Sequence, residues 1–80
     1  MDLKDLITLI VKALVDNPEQ VSINEIESNN TIIIELKVAK GDLGKIIGKQ
    51  GRTANAIRSI LNAMAGKTRK RLMLEILDQG

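Results

Sequence analysis

The sequence has no cysteine, no histidine and no aromatic residue, and a single proline in 80 positions. Without thiol or imidazole there is no disulfide, none of the usual zinc sites, and neither the commonest general base nor the thiol nucleophile. Most enzyme classes therefore lose their chemistry, and the ten carboxylates do not replace it. Only Asp42 lies near a basic loop in sequence, so no paired-carboxylate or magnesium site is visible. The expectation is a protein that is not an enzyme, with no metal and no cofactor. Without Phe, Tyr or Trp the base-stacking platforms of many single-strand binders cannot be built, so any nucleic-acid contact must work without stacking. No apolar run approaches the ~18–20 residues of a membrane span, and Met1-Asp2-Leu3-Lys4 lacks a basic segment ahead of an apolar one. A soluble, cytoplasmic chain with no membrane partner is expected.

What is present is 44% apolar and 28% charged residues, enough for one small domain spanning 1–80. A domain of this size buries only about 60–65% of its unfolded surface and has no covalent staple here, which makes association with a partner a reasonable expectation. The net charge of +2 hides an asymmetry. Residues 1–36 carry two lysines against seven carboxylates, net −5, while residues 37–80 carry ten Lys and Arg against Asp42, Glu75 and Asp78, net +7. A basic half is the footprint of a phosphate-binding surface if a motif focuses it, and plain solvation otherwise.

The periodicity predicts a helix over 2–15, with Leu3, Leu6, Ile7, Ile10 and Leu14 on one face and Asn17-Pro18 as its stop. Its apolar stripe is broad, since Leu9, Val11 and Val15 widen it. Residues 21–27 and 31–38 alternate as strands, the second with Ile32, Ile34, Leu36 and Val38 on one side. Ser28-Asn29-Asn30 between them suits a tight reversal, Asn tolerating the positive φ of two-residue hairpin turns. Asp42 is placed to cap a short helical turn through Leu43, Ile46 and Ile47 that Gly48 ends. A longer helix follows from Gly51 or Arg52 to Ala65, with Ala54, Ile57, Ile60, Leu61 and Met64 inward and Gly66 as C-cap. Residues 71–77 alternate again. A strand reached through a helical crossover returns parallel, so it lies beside the second strand. The order α-β-β-α-α-β gives a two-layer α+β domain, a three-stranded mixed sheet with helices on one face.

Four glycines fall in the eleven residues from Gly41 to Gly51. The spacing fits neither a Walker phosphate loop nor a dinucleotide fingerprint. Gly41 and Gly44 enclose Asp42, whose charge repels phosphate, and read as a turn. Gly48-Lys49-Gln50-Gly51 lies between two helical patterns, where amides at the start of the following helix favour an anion. Its glycines let a sugar-phosphate backbone approach the main chain, and Lys45, Lys49, Arg52 and Arg58 surround it with positive charge. Alone, the same residues also describe a junction that needs glycine only for geometry.

Ile46-Ile47-Gly48-Lys49-Gln50-Gly51-Arg52 followed by Ala56-Ile57-Arg58 resembles the signature of a KH domain, and the element order matches its type II arrangement over nearly the whole chain. The chain is similar to the small bacterial single-KH RNA-binding proteins of the KhpA type. That resemblance implies a groove for about four unpaired nucleotides between the Gly-x-x-Gly loop, its flanking helices and the adjoining strand. Lys45, Ile46, Ile47, Gly48, Lys49, Gln50, Gly51, Arg52 and Arg58 would then be the RNA-binding residues, Ile46, Ile47, Ala54 and Ile57 lying near an apolar floor. Ile57 is better read as core, and the basic run Lys67-Thr68-Arg69-Lys70-Arg71 as solvated.

Roughly three or four phosphates neutralised would give a log–log salt slope of about −2 to −3. The resemblance further implies an RNA chaperone or post-transcriptional regulator, a homodimer or a heterodimer with a larger Jag-type KH protein, and links to cell shape through elongation and division. The second long helix is the first candidate for that interface. Two other readings stand beside it. One is a DNA binder using the helices around the loop as a helix-turn-helix, weakened by an outward face of Arg52, Asn55, Ser59 and Asn62 with a single positive charge. The other is an assembly adaptor whose loop is only a turn.

Overall fold

In a computed structural model, which describes residues 3–78, the alternating segments become a three-stranded sheet in the order β1-β2-β3. The strands are β1, Ser22–Glu27; β2, Thr31–Val38; and β3, Arg71–Asp78. β1 and β2 pair antiparallel, with Glu27 opposite Ile32 and Ser22 opposite Lys37. β2 and β3 pair parallel, with Thr31 opposite Arg71 and Val38 opposite Asp78. The period of two sets which residues are buried: Ile32, Ile34, Leu36, Val38, Leu72 and Leu74 all lie inward. Three helices supply the second layer: α1, Leu3–Leu14; α2, Leu43–Ile47; and α3, Arg52–Thr68. Ile7 and Val11 of α1, Ile46 of α2, and Ile57 and Leu61 of α3 close one continuous core over the sheet. The α+β class and the order α-β-β-α-α-β are those expected from the sequence.

Several local expectations fail. The helix predicted from residue 2 ends at Leu14, not Val15, and its position 2 lies outside the described residues. Neither Asn29 nor Asn30 adopts a positive φ. The hairpin closes instead with the Ser28 amide donating to the Thr31 carbonyl at 2.8 Å, and the Arg71 amide donates to Asn30 O at 2.9 Å, tying the loop to β3. Gly66 does not end α3, which runs two residues further to Thr68. There Arg69 takes the left-handed conformation (φ 60°), its amide donating to Ala65 O, while the Thr68 hydroxyl donates to the same carbonyl at 3.1 Å. The helix is thus stopped by main-chain geometry at a non-glycine residue, and Lys67 and Thr68 belong to it. Ile60, expected inward, is 37% exposed, because the α3 face that packs on the sheet is the one carrying Ala54, Ile57 and Leu61.

Asp42 stands where an N-cap would, yet its carboxylate caps nothing in α2. It is 1% exposed and reaches across 25 residues of chain to the end of α1. Its oxygens accept from the Asp16 amide at 3.1 Å, the Asn17 amide at 2.9 Å and Asn17 Nδ2 at 3.2 Å. A buried carboxylate is tolerated only when its lone pairs are filled in this way. Asp42 therefore fixes the end of α1 against the start of α2, the short helix that leads into the glycine loop.

Candidate nucleic-acid interface

α2 ends because Gly48 turns out of the helix at φ 78°, ψ 173°, its amide donating back to Gly44 O at 2.8 Å. A Cβ at that position would lie 2.3 Å from Thr53 Oγ1 and 2.8 Å from the Thr53 amide nitrogen, so a side chain is excluded by space as well as by φ. Gly51 is glycine for a different reason. Its φ is 74° and its nearest neighbour would be Asn55 Nδ2 at 3.9 Å, so only the backbone handedness requires it. Between them Gln50 is also left-handed, at φ 58°, a conformation that costs a side-chain residue about 1–2 kcal/mol. This strain is held by the flanking helices, and strain of this kind concentrates at functional sites.

The main chain offers fewer donors than the sequence suggested. The amides of Gly48, Gly51 and Arg52 donate within the turn, to the carbonyls of Gly44, Gly48 and Lys49. Those of Lys49 and Gln50 are not among these turn bonds. The anion-binding reading of the loop therefore narrows to its two central residues and their side chains.

The structure sorts the nine expected site residues. Gly48, Lys49, Gln50 and Gly51 form the loop and Arg52 opens α3 directly after it, Arg52 Nη2 donating to Gln50 Oε1 at 3.3 Å. Ile47 is exposed beside it and Arg58 follows two turns into α3. Ile46 is fully buried in the core and has no surface to give a ligand; it anchors the loop from below. Lys45 faces α1. Its ammonium lies 3.1 Å from Asp16 Oδ2 and 3.8 Å from Asp42 Oδ1.

These contacts move both pKa values. Burial alone would push the Asp42 carboxyl up, but the Asp16 and Asn17 amides, the Asn17 side chain and the Lys45 charge together hold it below its ordinary value. The hydrogen bond and charge of Asp16 raise the Lys45 ammonium above its ordinary value.

Ile47, Gly51, Ala54, Asn55 and Arg58 form one wall of an open groove of about 590 Å³, and Leu74, Glu75, Ile76 and Leu77 of β3 form the other. A second cavity of about 210 Å³ continues along α3 and β3, bounded by Leu61, Asn62, Leu72 and Met73, and shares Arg58 and Leu74 with the first. Because β3 is an edge of the sheet, this wall also presents main chain that no strand covers. The strand residues were not given as site residues from sequence, and Asn55 entered only as part of the outward face of the helix-turn-helix reading. The signal existed in the parallel return, which puts β3 beside the loop-bearing helices. Ile57 is buried, as expected of a core residue. Of the basic run, Lys70 pairs with Glu27 at 2.7 Å, and Lys67, Thr68, Arg69 and Arg71 are exposed.

A sequence model described as the KH domain of KhpA/KhpB matches residues 4–76, the loop included and the groove up to Ile76. The chain belongs to the KhpA/KhpB KH-domain family. It is 56% identical over 73 residues to an RNA-binding protein KhpA from Caldanaerobacter subterraneus subsp. tengcongensis, covering 91% of this chain and 97% of that protein. It is 51% identical over 77 residues to one from Chlamydia trachomatis, covering 96% and 99%, and 53% identical over 76 residues to one from Aquifex aeolicus, covering 95% and 96%. This KH family is not an enzyme family. Among the described residues no acidic cluster able to hold a metal ion occurs, and no helix is long and apolar enough to cross a membrane.

Proposed function

We propose that the chain is a single KH domain, filling residues 1–80, that holds short single-stranded RNA and acts in the cytoplasm as an RNA chaperone or post-transcriptional regulator. The observation that carries this reading is the groove itself: a cationic, strained glycine turn at one end, and a channel of mixed polar and apolar lining between α3 and an open strand edge. Gly48 and Gly51 admit the sugar-phosphate backbone, and Lys49 and Arg52 meet its charge. Ile47, Ile76 and Leu77 give bases an apolar surface that needs no aromatic stacking. The relatives named as RNA-binding proteins KhpA support the same ligand class.

Arg58 on the groove, with Lys49 and Arg52 on either side of Gly51 at its end, supplies three cations, which sets a log–log salt slope of about −2 on single strands. One such groove binds weakly, and pairing two raises affinity without new base contacts. The protein works as a dimer, with itself or with a larger Jag-type KH protein, in a role tied to cell elongation and division. Exposed Ile60 on α3 supports that helix as the pairing face, and the family description joining KhpA with KhpB supports a KH-containing partner.

The test is the double substitution Lys49→Asp with Gln50→Asp, read by fluorescence anisotropy on an unstructured ten-nucleotide RNA. Binding is expected to be lost with the thermal midpoint nearly unchanged, since both side chains are exposed and Asp tolerates the left-handed conformation better than Gln does. Undiminished binding would favour the adaptor reading. Tighter binding to duplex DNA than to RNA of equal length would favour the helix-turn-helix reading.

A further inference from the structure

Four cations flank the loop in sequence, yet one of them already has two carboxylates. Lys45 stands in the last turn of α2, just before Gly48, and its ammonium bridges Asp16 and Asp42. Asp42 cannot move away, being buried and held by the amides of Asp16 and Asn17. Asp16 is held by its main chain: the amide that donates to Asp42 fixes the residue whose carboxylate then takes Lys45. The three residues form a closed circuit linking the end of α1 to the helix that carries the loop. Arg52 differs, because its partner, Gln50, is neutral and leaves its charge uncompensated. A lysine whose charge is already met by carboxylates presents little net positive charge to a phosphate, so it neutralises none and releases none of the counterions condensed on the RNA.

We infer that Lys45 is a positioning residue and not a phosphate contact, and that Asp16 keeps it so. Removing the Asp16 carboxylate leaves the ammonium only the longer 3.8 Å contact to Asp42, whose oxygens already accept three hydrogen bonds, and so frees Lys45 to meet a phosphate as a fourth cation. The inference rests on the RNA-binding reading above.

The experiment measures anisotropy of the same unstructured RNA across a salt series for wild type and for Asp16→Asn, Lys45→Gln, the two together, Lys49→Gln and Glu25→Gln. Asp16 is 74% exposed in its side chain, so Asp16→Asn folds without disturbance to the core. Glu25, exposed on the opposite edge strand, controls for an equal change in net charge. Asp16→Asn is expected to bind more tightly and to steepen the slope by about 0.7, so that its advantage shrinks about 2.5-fold between 50 and 200 mM salt. Glu25→Gln and Lys45→Gln should keep the wild-type slope, Lys49→Gln should flatten it by about 0.7, and the double variant should lose the gain of Asp16→Asn.

A slope for Asp16→Asn no steeper than that of Glu25→Gln overturns the inference. So does a Lys45→Gln slope flattened as much as that of Lys49→Gln. Should far-UV circular dichroism show Lys45→Gln unfolded, the comparison of Asp16→Asn with Glu25→Gln decides alone. Normal binding by wild type with no steepening defeats only this inference, whereas no binding by wild type defeats it together with the functional reading.

Discussion

Gly41 and Gly44 have the same spacing as Gly48 and Gly51, seven residues further along, and the two pairs do opposite things. Neither glycine of the first pair has a positive φ, and a Cβ at either would meet nothing within 4 Å. Both glycines of the second pair are left-handed, and one of them is hemmed in by Thr53. What separates them is the residue each pair encloses. Asp42 in the first turns inward and fastens α1 to α2; Lys49 and Gln50 in the second turn outward to solvent. A glycine spacing therefore says little until chirality and the fate of the enclosed side chains are known.

The comparison breaks first at Gly48. Gly48→Ala imposes an unfavourable φ and a contact that Thr53 must relieve by moving, so a loss of about 2–3 kcal/mol in urea denaturation is expected, together with loss of RNA retention. If Gly48→Ala unfolds at the wild-type urea concentration, the distinction between the pairs is wrong.

Asp42→Asn tests the other pair through pH. The native carboxyl lies below its ordinary value of 3.8, so its stabilisation is fully present above 3.8 and disappears as pH falls through the lowered native value. The variant should have a lower urea midpoint than wild type at pH 7, with the gap closing as pH drops below 3.8; a gap independent of pH would refute the assignment.

Gly51→Ala should cost about 1–2 kcal/mol, from φ alone, since there is room for the added carbon. Gly44→Ala, inside α2 and unobstructed, should raise stability by about 0.5–1 kcal/mol, seen as a higher melting midpoint.

The strands were readable because burial on one face imposes strict alternation, and Ile32 to Val38 and Leu72 to Ile76 obey it. The glycine turn was readable as a turn because two helical patterns meet there, whereas a binding role for it came from the family resemblance and not from the glycines alone. The errors share another origin. Gly66 and the Asn29-Asn30 pair carry strong local propensities, but Arg69 and an ordinary hairpin took over those tasks once the Thr68 hydroxyl and the Arg71 amide had partners. Asp42 was misjudged as a cap, and the ion pair of Lys45 went unseen, because their partners Asp16 and Asn17 lie 25 or more positions away in sequence, and neither pattern nor charge run records such a meeting. Ile60 and Ile46 show the same limit on one scale smaller: helical periodicity gives a face, and only packing decides its centre.

The parallel pairing of β2 with β3 has a kinetic side. β1 meets β2 through a local reversal, but β3 reaches β2 only after the chain has threaded both helices and the glycine turn between them. Closing that long excursion is the entropically slow step of such a topology. The groove gains its second wall in the same event, so the binding surface comes into being only when the most distant strands join, and a partly folded chain displays the turn with no channel beside it.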